Sequence, residues 1–448
     1  MRINWLMLGC LVFLVLLTGC TKDNQTTLTV EEAGEEVIGL LQGREYDKLY
    51  EAWFSSELQE SLSVAELSSD WEEKVTDGDF VEVSALQAER RTENLDVVEA
   101  SLEYTAATFD IRLIFNEGMR LVGLSLSDGF ITEKLPGSIM EEEIIIGEGT
   151  EYELGGLLTL PKDGKEELPA VVLVHGSGPS DRDESAFAYK PFRDIAWGLA
   201  EQGIAVIRYD KRTFTYGNEM AEGLDNLTVY EETVEDAIRA AELIKTDSRI
   251  DEQHVFLAGH SLGGMLAPRI DAEGGDFSGL IILAGSPRPL WEIIYDQNRN
   301  LIEDIIADEK EQEEQRIFVE EEYEKAKRLQ TMTDEEAKEL TLFGIDGYYL
   351  KEMAEYNIPE LVEDQEKPLL ILQGEDDFQV FYDKDYKRWQ EILEKHEGVT
   401  FISYPGLNHF FIAYEGAGKG TLAEYEIPNQ VDEEVIQDIG EWIFKQSH

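Results

Sequence analysis

The pentapeptide Gly259-His260-Ser261-Leu262-Gly263, a G-x-S-x-G sequence, constrains this chain more than any other feature. It closes the apolar run 254–258 and opens into the helix-compatible stretch Leu262-Gly263-Gly264-Met265-Leu266-Ala267. A strand that ends in a tight glycine-flanked turn and passes straight into a helix throws the central side chain outward. Glycines are needed because strand and helix nearly touch at such a turn. Ser261 therefore reads as a nucleophile. A turn without chemistry would explain the pentapeptide alone, but not the strand before it and the helix after it.

A nucleophilic serine needs a base, a group that orients the base, and donors for the oxyanion. The chain has six histidines. Of those beyond Ser261, His448 is the last residue and His396 lies in the mixed-charge helical segment 385–397. His409 instead follows the strand pattern 399–404 and the turn Pro405-Gly406-Leu407-Asn408, from which a base can reach over the end of a sheet. Another buried-strand pattern, 368–373, runs into Gly374-Glu375-Asp376-Asp377-Phe378-Gln379-Val380, with adjacent carboxylates. A third, 169–174, runs into His175-Gly176-Ser177-Gly178-Pro179, whose small residues allow backbone N–H groups to face a site. Phosphate binding is a poor alternative for that loop, because the chain has no G-x-x-x-x-G-K-[ST] and no correctly spaced G-x-G-x-x-G.

Taken with His175–Glu184 and Arg208-Tyr209-Asp210-Lys211-Arg212, these phrases resemble the α/β-hydrolase superfamily. More narrowly, they look like bacterial esterases related to the serine-aminopeptidase-like hydrolases. The resemblance covers about residue 141 to the C-terminus. It implies the chain order nucleophile, acid, base, and so Ser261, Asp377 and His409 as the triad. The family phrasing G-x-x-D-x-x-V selects Asp377, with Asp376 in reserve. It also implies an oxyanion hole built from the backbone amides of Ser177 and Leu262. The sequence Thr213-Phe214-Thr215-Tyr216-Gly217 departs from the glycine-rich turn of many relatives and leaves the pocket shape open. Asp181-Arg182-Asp183-Glu184, Asp210 and Arg212 are expected to brace loops through ion pairs.

Apolar strands alternate with amphipathic helices from 141 to 448, which predicts an α/β fold with a mostly parallel sheet covered on both faces. The segment 287–366 interrupts this alternation with helical, densely charged sequence. Val319, Tyr323, Ala326 and Leu329 share one helical face there, and the segment reads as a cap. Residues 28–130 form a small α+β domain: helical patterns at 30–42 and 46–60, then alternating strands at 97–104, 109–115 and 121–126 around the turn Asn116-Glu117-Gly118. This unit resembles a small domain of unknown function, nuclear-transport-factor-like in shape, that precedes some secreted hydrolases. A spacer is its plain default role.

Residues 1–19 read as a lipoprotein signal peptide. An apolar core follows Arg2 and ends in Leu17-Thr18-Gly19-Cys20, which resembles the bacterial lipobox. That resemblance implies a lipid on Cys20, a tether over 20–27, and attachment to the outward face of a bacterial cell membrane. The other cysteine, Cys10, falls in the leader, so no internal disulfide is expected. No cofactor and no metal are expected, since His and Cys do not cluster at ligand spacing. The formal charge of −57 argues against nucleic acid as a partner and against lying on an anionic membrane unaided. It suits a salty or alkaline habitat, where screening lowers self-repulsion. The expected substrate is a small or medium acyl ester. A peptidase or amidase with the same triad, and a surface binding module, are the alternatives; no protein partner is legible.

Overall fold

The computed structural model describes residues 29–447 apart from 76–77, 79, 93–94, 106, 129–134, 165–166, 224–226, 306–308, 364–366 and 417. The leader, Cys20 and the tether lie outside the described residues. Contacts divide the chain into two units, and the larger begins at Leu135.

The smaller unit starts with helices α1 (Val30–Gln42), α2 (Tyr46–Trp53), α3 (Ser56–Ser61) and α4 (Val64–Lys74). Thr29 and Glu32 form a capping box that starts α1. Strands β1 (Phe80–Thr92), β2 (Leu95–Tyr104), β3 (Thr108–Asn116) and β4 (Leu121–Asp128) follow as an antiparallel sheet in the order β1-β2-β3-β4. Phe109, Ile111, Leu113 and Phe115 alternate inward along β3 and pack in one core with Val37, Leu41 and Leu49. The sequence reading differs here in two respects. The helical pattern 46–60 is broken at Phe54, which bridges to Leu121 of β4. In addition, α4 and β1 were not expected.

The larger unit holds an eight-stranded sheet in the spatial order Val399–Tyr404, Leu369–Gly374, Leu280–Leu283, Ile250–His260, Leu168–Val174, Ala205–Tyr209, Leu154–Pro161, Ile139–Ile146. Strands β5 (Ile139–Ile146) and β6 (Leu154–Pro161) make its antiparallel edge. The strands β7 (Leu168–Val174), β8 (Ala205–Tyr209), β9 (Ile250–His260), β10 (Leu280–Leu283), β13 (Leu369–Gly374) and β14 (Val399–Tyr404) run parallel. Apart from the edge strand β14, which is half-buried, their side chains are buried on both faces along most of their length, as a sheet covered on both sides requires. Helices α5 (Pro191–Glu201), α6 (Arg212–Gly223), α7 (Glu235–Lys245) and α8 (Leu262–Ile270) connect the first of these strands, and a π-helical turn, Tyr230–Val234, precedes α7.

Between β10 and β13 lies the expected helical insertion: α9 (Leu290–Ile305), α10 (Glu309–Ala326), α11 (Asp334–Lys338), the short hairpin β11 (Thr341–Leu342) and β12 (Ile345–Asp346), α12 (Gly347–Glu355) and α13 (Ile358–Glu363). Val319, Ala326 and Leu329 are buried, so this charged segment has an apolar face with a partner. Helices α14 (Lys387–Ile392) and α15 (Glu433–Gln446) complete the unit. The strand register sets Val174 opposite Gly259, His260 opposite Leu283, Leu283 opposite Leu372 and Gly374 opposite Tyr404. The carboxyl ends of these strands are therefore level, which is where open parallel sheets gather their sites.

Candidate active site

Ser261 follows β9 directly and has φ 52° and ψ −113°, a backbone setting that costs energy for a residue with a side chain. The turn is held because no side chain fits around it. A Cβ on Gly259 would lie 2.2 Å from the Gly263 carbonyl oxygen, and one on Gly263 would lie 2.2 Å from that of Val174. The Ser261 amide donates to the Leu283 carbonyl at 2.8 Å, so the strained residue is pinned to the neighbouring strand.

His409 and Asp377 meet beyond β14 and β13, with His409 Nδ1 at 2.7 Å from Asp377 Oδ2. A carboxylate oxygen in this position accepts, so the ring proton sits on Nδ1 and Nε2 is left as the basic atom. Asp377 also accepts from Gln373 Nε2 at 2.8 Å and from the amides of Gln379 and Val380 at 2.8 and 2.9 Å. Asp376, the reserve acid, is paired with Lys419 at 2.8 Å instead. The nucleophile turn and the histidine loop are joined one residue away from Ser261, where His260 Nε2 lies 3.0 Å from the His409 carbonyl oxygen.

The loop after β7 comes close to Ser261 from the other side: a Cβ on Gly176 would lie 3.2 Å from the Ser261 Cβ. The Gly176 amide is occupied by Glu184 Oε1 at 2.6 Å, whereas Ser177 is exposed. Leu262 is the first residue of α8, where backbone amides have no partner within the helix.

Comparison with known proteins agrees with the fold. Residues 171–418 match the alpha/beta hydrolase family, and a curated relative, Esterase EstD of Thermotoga maritima, is 34% identical over 395 residues, spanning 87% of this chain and 90% of its own length. The chain belongs to the α/β hydrolase family. Residues 34–124 match a separate family of proteins of unknown function, DUF3887. Among solved structures, Est1E of Butyrivibrio proteoclasticus is 17% identical with a TM-score of 0.43, covering 68% of this chain and 98% of its own. A hyperthermophilic esterase from Pyrobaculum calidifontis is 17% identical with a TM-score of 0.40, covering 69% and 86%.

Buried charge surrounds the candidate residues of this α/β hydrolase. Asp181 accepts from the amides of Asp183 and Ser185 and from the Ser185 hydroxyl in its own loop, while the other expected braces find partners in other elements. Arg182 pairs with Asp210 at 2.7 Å, Arg208 with Glu141 and Asp183 at 2.8 and 2.9 Å, and Arg212 with Glu235 and Asp236. Glu184 is more than a brace, because its Oε2 lies 3.0 Å from His260 Nδ1. Burial is the largest influence on the His260 pKa and lowers it, but Glu184, the His409 carbonyl and Asp377 together carry the net shift upward. Glu184 is correspondingly lowered despite burial, by His260 above all. A carboxylate near one nitrogen and a carbonyl at the other both favour the protonated ring of His260. His175 behaves oppositely: burial takes its pKa down to about 4, and the ring stays neutral.

Sequence reasoning missed His260, Lys211, Glu232 and Gln373 as parts of the site and saw Glu184 only as a loop brace. His260 and Glu184 stood inside the quoted phrases, where the type of residue was visible but the partner was not. Among the described residues, no cluster of His, Cys, Asp and Glu could hold a metal ion.

Proposed function

We propose that this α/β hydrolase is a serine carboxylesterase acting on small or medium acyl esters. The observation that carries the reading is the strained Ser261 at the end of β9, next to His260, whose ring lies against the His409 of the His409–Asp377 pair. In this mechanism His409 Nε2 removes the Ser261 proton as Oγ attacks the ester carbonyl. Asp377 holds the ring in the required tautomer and stabilises the imidazolium. The Ser177 and Leu262 amides receive the oxyanion, and the imidazolium then protonates the departing alkoxide. Water attacks the acyl-enzyme by the same route in reverse, restoring Ser261. No step calls for a cofactor.

Esters are favoured over amides because the curated relative that matches most of the chain is named an esterase. The Leu17-Thr18-Gly19-Cys20 phrase supports a lipid on Cys20 and a location on the outward face of the membrane. The test is turnover of p-nitrophenyl acetate, butyrate and octanoate beside aminoacyl p-nitroanilides. Ester turnover that depends on chain length is expected. Activity confined to the anilides would move the reading to a peptidase.

A further inference from the structure

Gly176 is gripped at both ends. Its amide is taken by Glu184, and its carbonyl accepts from Lys211 Nζ at 2.8 Å. That carbonyl and the Ser177 amide belong to one planar trans peptide, so the direction of the C=O sets the direction of the N–H. Lys211 is only 2% exposed. Its charge is balanced by Glu232 Oε1 at 2.6 Å, and Glu232 Oε2 accepts from the Tyr349 hydroxyl at 2.7 Å. Lys211 follows β8, Glu232 stands in the π-helical turn before α7, and Tyr349 belongs to α12 of the insertion.

A buried lysine is a costly way to hold a loop, because the ammonium loses its hydration. The loop has another clamp in any case: the next residue, Arg212, already ties it to α7 through Glu235 and Asp236. What Lys211 adds is a full positive charge on the Gly176 carbonyl. Such a donor fixes the peptide plane and polarises it, which strengthens its N–H as a donor.

We propose that Lys211 is a positioning residue for the oxyanion hole, acting through the Gly176–Ser177 peptide, and that Glu232 and Tyr349 tie its setting to the helical insertion. The proposal rests on the reading of Ser261 as nucleophile and of the Ser177 amide as oxyanion donor. Lys211 itself touches no reacting atom. Its effect appears when negative charge develops on the substrate oxygen, and hence in kcat rather than in ground-state binding.

The test uses the full chain with p-nitrophenyl butyrate, and an n-hexyl trifluoromethyl ketone whose serine adduct places an oxyanion in the hole. Loss of a whole oxyanion donor costs about 10²–10³ in kcat, so mis-setting one in Lys211→Met is expected to cost about 10–100-fold. KM should stay within about threefold, and ketone affinity should fall by a factor similar to the loss in kcat. Tyr349→Phe, which keeps the ring, should lower kcat about 3–10-fold, and that loss should vanish in the Lys211→Met background. An unchanged kcat in folded Lys211→Met, or a loss in kcat not mirrored in ketone affinity, overturns the proposal. Losses that multiply in the double variant overturn the link to the insertion. If Lys211→Met fails to fold by circular dichroism, Tyr349→Phe carries the test alone, with the same two readouts. Ester turnover that persists in Ser261→Ala would remove the underlying reading, whereas Ser261-dependent turnover untouched by Lys211→Met removes only this proposal.

Discussion

Two neighbouring aspartates, Asp376 and Asp377, have different tasks because one backbone turn sends them to different partners. Asp377 is buried among donors from Gln373, Gln379, Val380 and His409, while Asp376 pairs with Lys419 at the surface. Asp377→Asn should therefore lower kcat about 10³–10⁴-fold through loss of the correct His409 tautomer. Asp376→Asn should stay within about threefold, as removal of an exposed pair usually does. Steady-state kinetics on a p-nitrophenyl ester check both. The buried His260–Glu184 pair gives a second prediction at this scale. The His260 pKa is raised in the fold, so its contribution is complete below the unfolded value near 6.5 and is lost as pH rises through the folded value. Glu184 is lowered, so its contribution is present above its unfolded value and is lost as pH falls through the folded one. Thermal unfolding should show stability falling on the alkaline side, and Glu184→Gln should move that fall to lower pH. A fall that does not move would mean that the carboxylate does not hold the imidazolium.

The turn between β9 and α8 is an element whose sequence and structure agree at every level. Gly259 and Gly263 are required by close backbone approach, so Gly263→Ala should destabilise the fold by about 2–3 kcal/mol or more in urea unfolding. Loss of activity without loss of stability would contradict that account. Elements of this kind were legible because a buried parallel strand is a continuous apolar run and its helices are amphipathic. The strands around Val171, Val255, Ile281, Leu370 and Phe401 could be placed in order for that reason. Strand β1 was not legible, because its bulges at Glu82, Ala85 and Thr92 break the alternation on which strand recognition depends. Helix α4 is polar, and among its described residues Leu67 and Trp71 are buried in the core with Val64 packed against it. Its capping box, Ser63 with Glu66, was a signal that could have found it. The π-helical turns Tyr230–Val234 and Tyr382–Tyr386 differ from ordinary helix by one residue of register, which hydrophobic periodicity does not resolve. Glu232 owes its place to the first of them.

Across the whole molecule, acidic residues outnumber basic ones, 95 against 38. Self-repulsion on this scale opposes compactness and is relieved as the screening length falls from about 30 Å at 0.01 M salt to about 3 Å at 1 M. The melting temperature should rise by several degrees over that range, and a maximum in very low salt would contradict a saline habitat. What composition could not convey was pairing. In sequence Asp183 reads as a loop brace with no partner assigned, and Lys211 and Glu232 have no task, yet the structure buries or nearly buries them in the pairs Arg208–Asp183 and Lys211–Glu232. Candidate triad positions were readable because each follows a strand; the charged frame was not, because its partners are far apart in the chain. The measurement that tests the account most directly is kcat/KM of the full chain on p-nitrophenyl butyrate beside Ser261→Ala. The account predicts turnover that falls by at least about 10⁴-fold in the variant. Equal turnover by the two proteins would contradict Ser261 as the nucleophile and, with it, the mechanism built on the end of β9.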